Sequence, residues 1–391
     1  MISMRNYLFA KYKYAHRHIP NMRGRNCMMM AVVREHCFHV GRQYTNKVFI
    51  WQARVLLIFS YQQNFYRVRF VHLLTTILED FMEQEKTSAG VWKIVRWIPF
   101  GLLSAFAIVI LGMLLAGGMV KISGWYMLQL IPPLLGLVTF IAVGIYALIK
   151  KRKSKPVVWT LMASLISMLG FILWFAPVAY PASLENTKPS VTIRLPANEK
   201  IRVAWGGDSI KANYHAAAPD QRWAYDLVIE PNYFSGSQNL EDYSCYGVTV
   251  VAPIDGIVVS AHDGEPDETP GVVSNNFEAP TGNHVMIRID ETGTYLVIAH
   301  LKNGSVKVET GDIVAEGQAI GECGNSGNTS EPHIHIHHQR QDPTKFPLNF
   351  AEGLPLYFRD HDGQPMPVGG FEMDGERIIP LGDVIQHIGN R

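Results

Sequence analysis

Cysteine is scarce, four residues in 391, which excludes the dense disulfide framework that staples small secreted folds. Cys27 and Cys37 lie near the start, while Cys245 and Cys323 leave room for a single bridge. Cys323, beside Gly324, reads as a small packed residue rather than a metal ligand. Charge of either sign is missing from residues 97–120, 122–149 and 157–182. Each stretch exceeds the roughly 20 residues that a spanning helix needs, and its apolar side chains surround the helix instead of forming a stripe, which excludes an amphipathic surface helix. None has the short apolar core of a cleaved secretory signal, so the chain is expected to stay anchored in a lipid bilayer. After residue 183 no long helical pattern occurs, which leaves an antiparallel β domain for that part.

The net charge of +1 conceals a strong segregation. Residues 1–81 hold 12 Lys and Arg against 3 Asp and Glu, 82–182 hold 9 against 2, and 183–391 hold 14 against 29. A basic, apolar front is joined to an acidic back, and that back would repel nucleic-acid phosphate. Lys86, Lys93 and Arg96 precede the first apolar stretch and KKRKSK (150–155) separates the second from the third, whereas Lys121 alone lies between the first and second. The positive-inside rule therefore expects the 150–155 loop in the cytoplasm and residues 183–391 on the extracytoplasmic side of a multi-pass cytoplasmic (inner) membrane protein. Trp97, Trp125, Tyr126, Trp174 and Tyr180 stand near the span ends, where amphipathic rings favour the interface.

Residues 1–81 are rich in Arg, His, Met and aromatics without a clean period. Met82 opens MEQEKTSAGVWK, an ordinary start for a membrane protein, so translation is expected to begin there. The alternative is an amphipathic extension around VFIWQARVLLIFSY (48–61) that lies on the membrane. The expected organisation is thus an uncertain extension (1–81), a membrane anchor (82–182), a β domain (183–340) and a C-terminal extension packed on it (341–391).

Within the back part, VTIRL (191–195), VTVVAP (248–253), GIVVSA (256–261), HVMIRI (284–289), YLVIAHL (295–301) and IHIHH (334–338) read as strands bounded by Gly, Asn, Asp and Pro. The segment 308–324 alternates turns with short strands. Packing explains GNSGNTSEPHIHIHHQ (324–339) least well, since it holds four histidines in six positions behind a turn. In a strand, residues two apart share a face, so His333, His335 and His337 point one way and His338 the other. Neutral imidazole is the commonest protein ligand for zinc. His215, with Asp226 opening the strand-like DLVI, and His300, closing YLVIAHL, are the candidate partners. Three protein ligands would leave a fourth position for water, as in catalytic zinc sites.

The spaced His and Asp of NYHAAAPDQRWAYDLVIE (213–230), AHL (299–301) and SEPHIH (330–335) occur in this order, with GNHVMIRI and GNSGNT between them. Together they resemble the lysostaphin and LytM-like zinc metalloendopeptidases, which cut peptidoglycan peptides. The resemblance covers about residues 200–340. It implies an all-β catalytic domain of antiparallel sheets, here attached to the three apolar stretches expected to be transmembrane helices, with one Zn²⁺ held by His215, Asp226 and His335. It makes His300 and His333 the catalytic histidines, leaving His337 as a neighbour and His338, His262 and His284 as structural. One departure stands out. The family's commonest form has three residues between its first His and its Asp, and that position here is Pro219, which cannot ligate. Ten residues separate Asp226 from His215, which requires an inserted loop; Asp220 is the closer alternative, and YDLVI favours Asp226.

The expected activity is hydrolysis of peptide bonds in peptidoglycan cross-links or stem peptides by a membrane-anchored zinc metalloendopeptidase. Its expected partners are wall peptides and the bilayer. The alternatives are a non-hydrolytic domain that binds wall peptides or activates a hydrolase, and a membrane sensor.

Overall fold

Three successive helices carry apolar side chains on every face, the pattern expected when lipid rather than water surrounds them. In the computed structural model they are α1 (Ile98–Ala116), α2 (Gly118–Ile149) and α3 (Lys155–Met168), the last continuing as a 3₁₀ turn over Leu169–Trp174. The structure describes residues 91–389 except 152, 177, 234–235, 348 and 375–376. The readings of residues 1–81 and of Met82 lie outside the described residues. All three helices are long and apolar enough to cross a membrane, and Ile108, Leu115, Val138, Leu148 and Ile166 are among their exposed side chains. The third leaves helical geometry at Trp174, ahead of Pro177 and Pro181, instead of running to residue 182. Proline disfavours helical backbone in the residue before it. Small residues seat the helices on one another. A Cβ at Gly136 of α2 would come within 2.7 Å of the Ser164 carbonyl of α3, and Ser164 and Thr160 are buried at that contact.

The rest of the chain is β structure. Its strands are β1 (Val191–Arg194), β2 (Ile201–Trp205), β3 (Tyr225–Ile229), β4 (Thr249–Val251), β5 (Gly256–His262), β6 (Asn283–Ile289) and β7 (Thr294–Leu301). They are followed by β8 (Ile313–Val314), β9 (Ala319–Glu322), β10 (Ile334–Gln339), β11 (Leu356–Arg359), β12 (Phe371–Asp374), β13 (Arg377–Pro380) and β14 (Val384–Ile385). Eight form one antiparallel sheet in the order β14-β2-β3-β10-β7-β6-β5-β8. β4 and β9 make a separate antiparallel ribbon, and β1 pairs with β11 in parallel. All six stretches read as strands from sequence form strands, and the C-terminal segment contributes β14 to the edge of the main sheet.

Alternation decides what the central strands bury. Ile334 and Ile336 of β10 enter a continuous apolar core with Leu227, Val285, Ile287, Leu296, Ile298 and Val250, all at or near zero exposure. Cys245 and Cys323 lie in that core and are joined by a disulfide with a Cα separation of 5.7 Å. β10 sits in the middle of the sheet, hydrogen-bonded to β3 and β7, and all six of its residues are buried.

This core predicts a contrast between two isoleucines. Ile336→Ala should destabilise the β domain by about 2–5 kcal/mol, whereas Ile313→Ala, at a position 81 % exposed, should change it by less than about 0.5 kcal/mol. Denaturant unfolding monitored by tryptophan fluorescence measures both, and equal losses would contradict the core described here.

Candidate metal centre

β10 and β3 are paired so that His335 lies directly opposite Asp226. Its Nδ1 is 2.8 Å from Asp226 Oδ1. His215 reaches the same oxygen from a 3₁₀ turn, Tyr214–Ala217, with its Nε2 3.6 Å away. That turn is held by Asn213, whose side-chain amide donates to the carbonyls of Gly207 (3.0 Å) and Ala224 (3.1 Å). Asn213 Oδ1 accepts from the His215 backbone N–H and from its Nδ1. His333 Nε2 is 3.5 Å from Asp226 Oδ1, and the His300 ring centre is 4.8 Å from that of His333. The ligand-capable atoms of His215, Asp226 and His335 all lie within 4.8 Å of one another, as do those of His300, His333 and His335. All five residues singled out in the sequence are therefore gathered at one place. Asp220 belongs to neither group; its carboxylate is buried, one oxygen lacks a hydrogen-bond partner, and burial pushes its pKa up to about 6.

The hydrogen bonds determine which ring nitrogens carry protons. His215 Nδ1–H must donate to Asn213 Oδ1, His300 Nδ1–H to Ser326 O (2.8 Å) and His333 Nδ1–H to Glu331 O (2.7 Å), because each of those oxygens only accepts. Each neutral ring is left with a bare lone pair on Nε2. His335 is read from the far end of a chain. Gln339 Nε2 donates to Gln341 O (2.6 Å), so its Oε1 accepts from His337 Nε2 (3.0 Å). His337 Nδ1 is then the acceptor for His335 Nε2–H (3.0 Å). That leaves His335 Nδ1 bare and facing a carboxylate oxygen.

Burial pushes His215 down to about 3 and His337 likewise to about 3. Burial first, then His333 and His335, holds His300 well below its usual range. Bare ring nitrogens converging on a carboxylate oxygen place lone pairs against one another across a low-dielectric gap, which is repulsive. A divalent cation turns that repulsion into coordination. The donor set of two imidazoles and one carboxylate suits zinc and leaves its fourth position open.

Backbone geometry supports the other wall. His300 has φ +63°, a left-handed conformation uncommon for a residue other than glycine, where β6 and β7 shift register. Its N–H donates to Thr281 O and its carbonyl accepts from Gly324 N–H. The 324–330 turn lies flat on Gly282, since a Cβ at Gly327 would come within 2.4 Å of the Gly282 nitrogen. The sequence reading missed Asn213, Tyr214, Ser326 and Gln339. Tyr214 stacks on His215 at 4.0 Å and its hydroxyl lies 3.4 Å from Asp226 Oδ2. Of these only Gln339 had a signal, being two residues beyond His337 on the same face. His338, on the opposite face, bonds Thr294 Oγ1 and Pro355 O.

Residues 240–346 match the model of Peptidase family M23, a segment that holds His300, His333 and His335 but neither His215 nor Asp226. The catalytic domain of lysostaphin from Staphylococcus simulans is similar at 19% identity, covering 40% of this chain and 89% of that one with a TM-score of 0.25. A variant catalytic domain of the prophage-encoded M23 protein EnpA from Enterococcus faecalis is similar at 15% identity, with 42% and 87% covered and a TM-score of 0.23. A zinc-containing peptidase from Vibrio cholerae is similar at 17% identity, with 38% and 36% covered and a TM-score of 0.24. No curated protein matches the chain by sequence.

Two outcomes are expected. His337→Ala, which removes the acceptor that orients His335, should weaken zinc binding about 10- to 100-fold; competition with a chromophoric chelator measures it, and unchanged affinity would remove His337 from the site's support. Burial also lowers His338 to about 4. His337 and His338 stay neutral when folded yet take up protons on unfolding below about 6.5, so the metal-free domain should lose stability as pH falls from about 6.5 towards 4. Thermal melts of chelator-treated protein at pH 7 and pH 5 check this, and equal midpoints would contradict it.

Proposed function

The chain carries a peptidase family M23 domain over residues 240–346, and from that premise we propose that it is a membrane-anchored zinc metalloendopeptidase that hydrolyses peptide bonds of peptidoglycan. The observation that carries this reading is the convergence of bare imidazole nitrogens from His215, His335 and His333 on one oxygen of Asp226. His215, Asp226 and His335 are assigned to the metal. Zinc held there supplies Lewis acidity and makes hydroxide available near neutral pH.

His333 and His300 carry the proton chemistry in this assignment. His333 Nδ1–H is committed to Glu331 O, so its Nε2 accepts a proton, and the Glu331 carbonyl stabilises the imidazolium that results. His300 is tethered in the same way by Ser326 O. Its bare Nε2 is a second proton acceptor beside His333, and in this assignment it serves an oxyanion or a leaving amine once the proton taken from water has reached it. Asn213 and Tyr214 keep the His215 turn in register with Asp226 and bring no further proton-transfer group.

Location and substrate support one another. The basic 150–155 loop between α2 and α3 favours the cytoplasm, and three spans then carry the β domain to the other side, where peptidoglycan lies. The Cys245–Cys323 disulfide fits the same side, because such bonds persist in oxidising compartments. Anchoring raises the effective concentration of the domain near the wall.

The purified full chain, incubated with peptidoglycan, should release new amino termini, lose that activity to a chelator and regain it with zinc. His300→Ala and His333→Ala should each lower turnover about 10²- to 10⁴-fold with zinc still bound, whereas His215→Ala, Asp226→Ala and His335→Ala should lose the metal. No amino termini from the zinc-loaded protein would refute the proposal; zinc retained by Asp226→Ala but lost by Asp220→Ala would transfer the ligand role to Asp220.

A further inference from the structure

The helices expose most of their apolar surface, yet the first turns of α2 do not. Ile122 is fully buried and Trp125 nearly so. With Tyr180 they form an apolar cluster that also takes in Leu114 and Met119 from the helices, and Ala182 and Phe350 from the chain beyond them. Residues from Leu102 to Arg391 belong to one compact unit. The cluster is where its helical and β parts meet.

Two lines of contact run from this cluster towards the metal centre. Along the first, Trp125 packs edge-on against Tyr180 at 5.8 Å, and the Tyr180 N–H donates to Ala216 O at 2.7 Å. Ala216 is the residue after His215, in the same short turn. The Tyr180 carbonyl accepts from buried Arg222 Nε at 3.0 Å, and Arg222 pairs with Asp208 at 2.9 Å. Along the second, Tyr126 stacks on Phe350 and its hydroxyl donates to Asn349 O. The loop that follows donates from Gly353 N to Pro219 O and from Leu354 N to His338 O, both at 2.8 Å. Pro219 and His338 flank the stretches that carry His215 and His335.

A single 3₁₀ turn has poor hydrogen-bond geometry and little stability of its own. The turn bearing His215 relies on Asn213 from one side and on Tyr180 from the other. Withdrawing Tyr180 would leave the Ala216 carbonyl without this donor, and His215 would lose one of its two supports. A metal ligand must be held to about 0.5 Å to bind well.

We infer that the α1–α2 end of the membrane anchor is a positioning element of the metal centre, acting through Trp125 and Tyr126 on the turn that carries His215. The anchor then does more than tether. Any partner or membrane state that separates Trp125 from Tyr180 loosens the metal's first ligand, so the metal affinity of the site depends on how the anchor is seated. The metal part of this inference rests on the assignment of His215 as a ligand; the mechanical part does not.

The test uses the full chain in lipid nanodiscs and two measurements, amide exchange of residues 213–218 in metal-free protein and zinc affinity by chelator competition. Trp125→Ala combined with Tyr126→Ala should speed exchange at Ala216 and Ala218 about tenfold and weaken zinc about tenfold, the scale of lost outer support. Leu130→Ala, on α2 but outside the cluster, should stay within about twofold of the unaltered protein. The amides of β6 and β7 report whether the domain is folded. Should the double variant lose their protection, Tyr126→Phe decides, because removing one hydroxyl leaves the packing and should still speed exchange about two- to threefold. Unchanged exchange in a folded double variant, or in Tyr126→Phe where that variant decides, overturns the inference. Faster exchange with no zinc bound by any variant upholds the mechanical coupling and refutes the zinc assignment instead.

Discussion

The Asp226–His335 pair across β3 and β10 is the contact on which the rest of the site depends. Strand register alone sets it, since a slip of one residue would turn every side chain of β10 to the opposite face. The apolar positions of the same strand prevent that slip. Ile334 and Ile336 are buried in the core, so moving the histidines would drag two isoleucines out of it. Hydrophobic burial, which has no chemistry of its own, thereby holds a carboxylate and an imidazole nitrogen 2.8 Å apart.

That contact would be repulsive without a positive charge, because the His337–Gln339–Gln341 chain commits the proton of His335 to its other nitrogen. Every imidazole in the site is treated in the same way. A fixed acceptor, an oxygen for His215, His300 and His333 and the His337 ring for His335, takes the proton of one nitrogen and leaves the second bare. The acceptors lie in structure that is itself well held, in Asn213 bonded to two carbonyls and in the 324–330 turn pressed against Gly282. Burial keeps the His215 ring neutral, the form in which imidazole binds a metal. Electrostatics and packing act together here: the low dielectric that makes the cluster costly without a cation makes it selective for one.

The chain meets two different solvents. Lipid favours helices whose backbone groups are satisfied internally, and small residues such as Gly136 and Ser164 let them approach. The β domain obeys the usual rule of an apolar interior. At their junction Trp125 and Tyr126, rings suited to an interface, meet Tyr180 and Phe350. The turn carrying His215 is one hydrogen bond away from that junction.

The helical and β parts of the fold were legible in the sequence because each rests on a local pattern. Charge-free runs longer than a bilayer mark the helices, and period-two alternation between turn residues marks the strands. Alternation also assigned His333, His335 and His337 to one face and His338 to the other. Choosing among those histidines, and linking them to His215, Asp226 and His300, was beyond periodicity and drew on resemblance to a family. YDLVI favoured Asp226 over Asp220, but tertiary structure alone decided that Asp226 lies against His335, since 109 residues separate the pair and only strand pairing joins them. It alone decided the protonated nitrogen of each ring, which depends on acceptors such as Ser326 O and Gln339 Oε1 that no spacing rule connects to the histidines. It also decided that Trp125 of α2 reaches the His215 turn through Tyr180. The physical reason is common to all three: hydrophobic pattern is written residue by residue along the chain, whereas hydrogen-bond partners and opposed charges are set by register and packing between segments far apart in it.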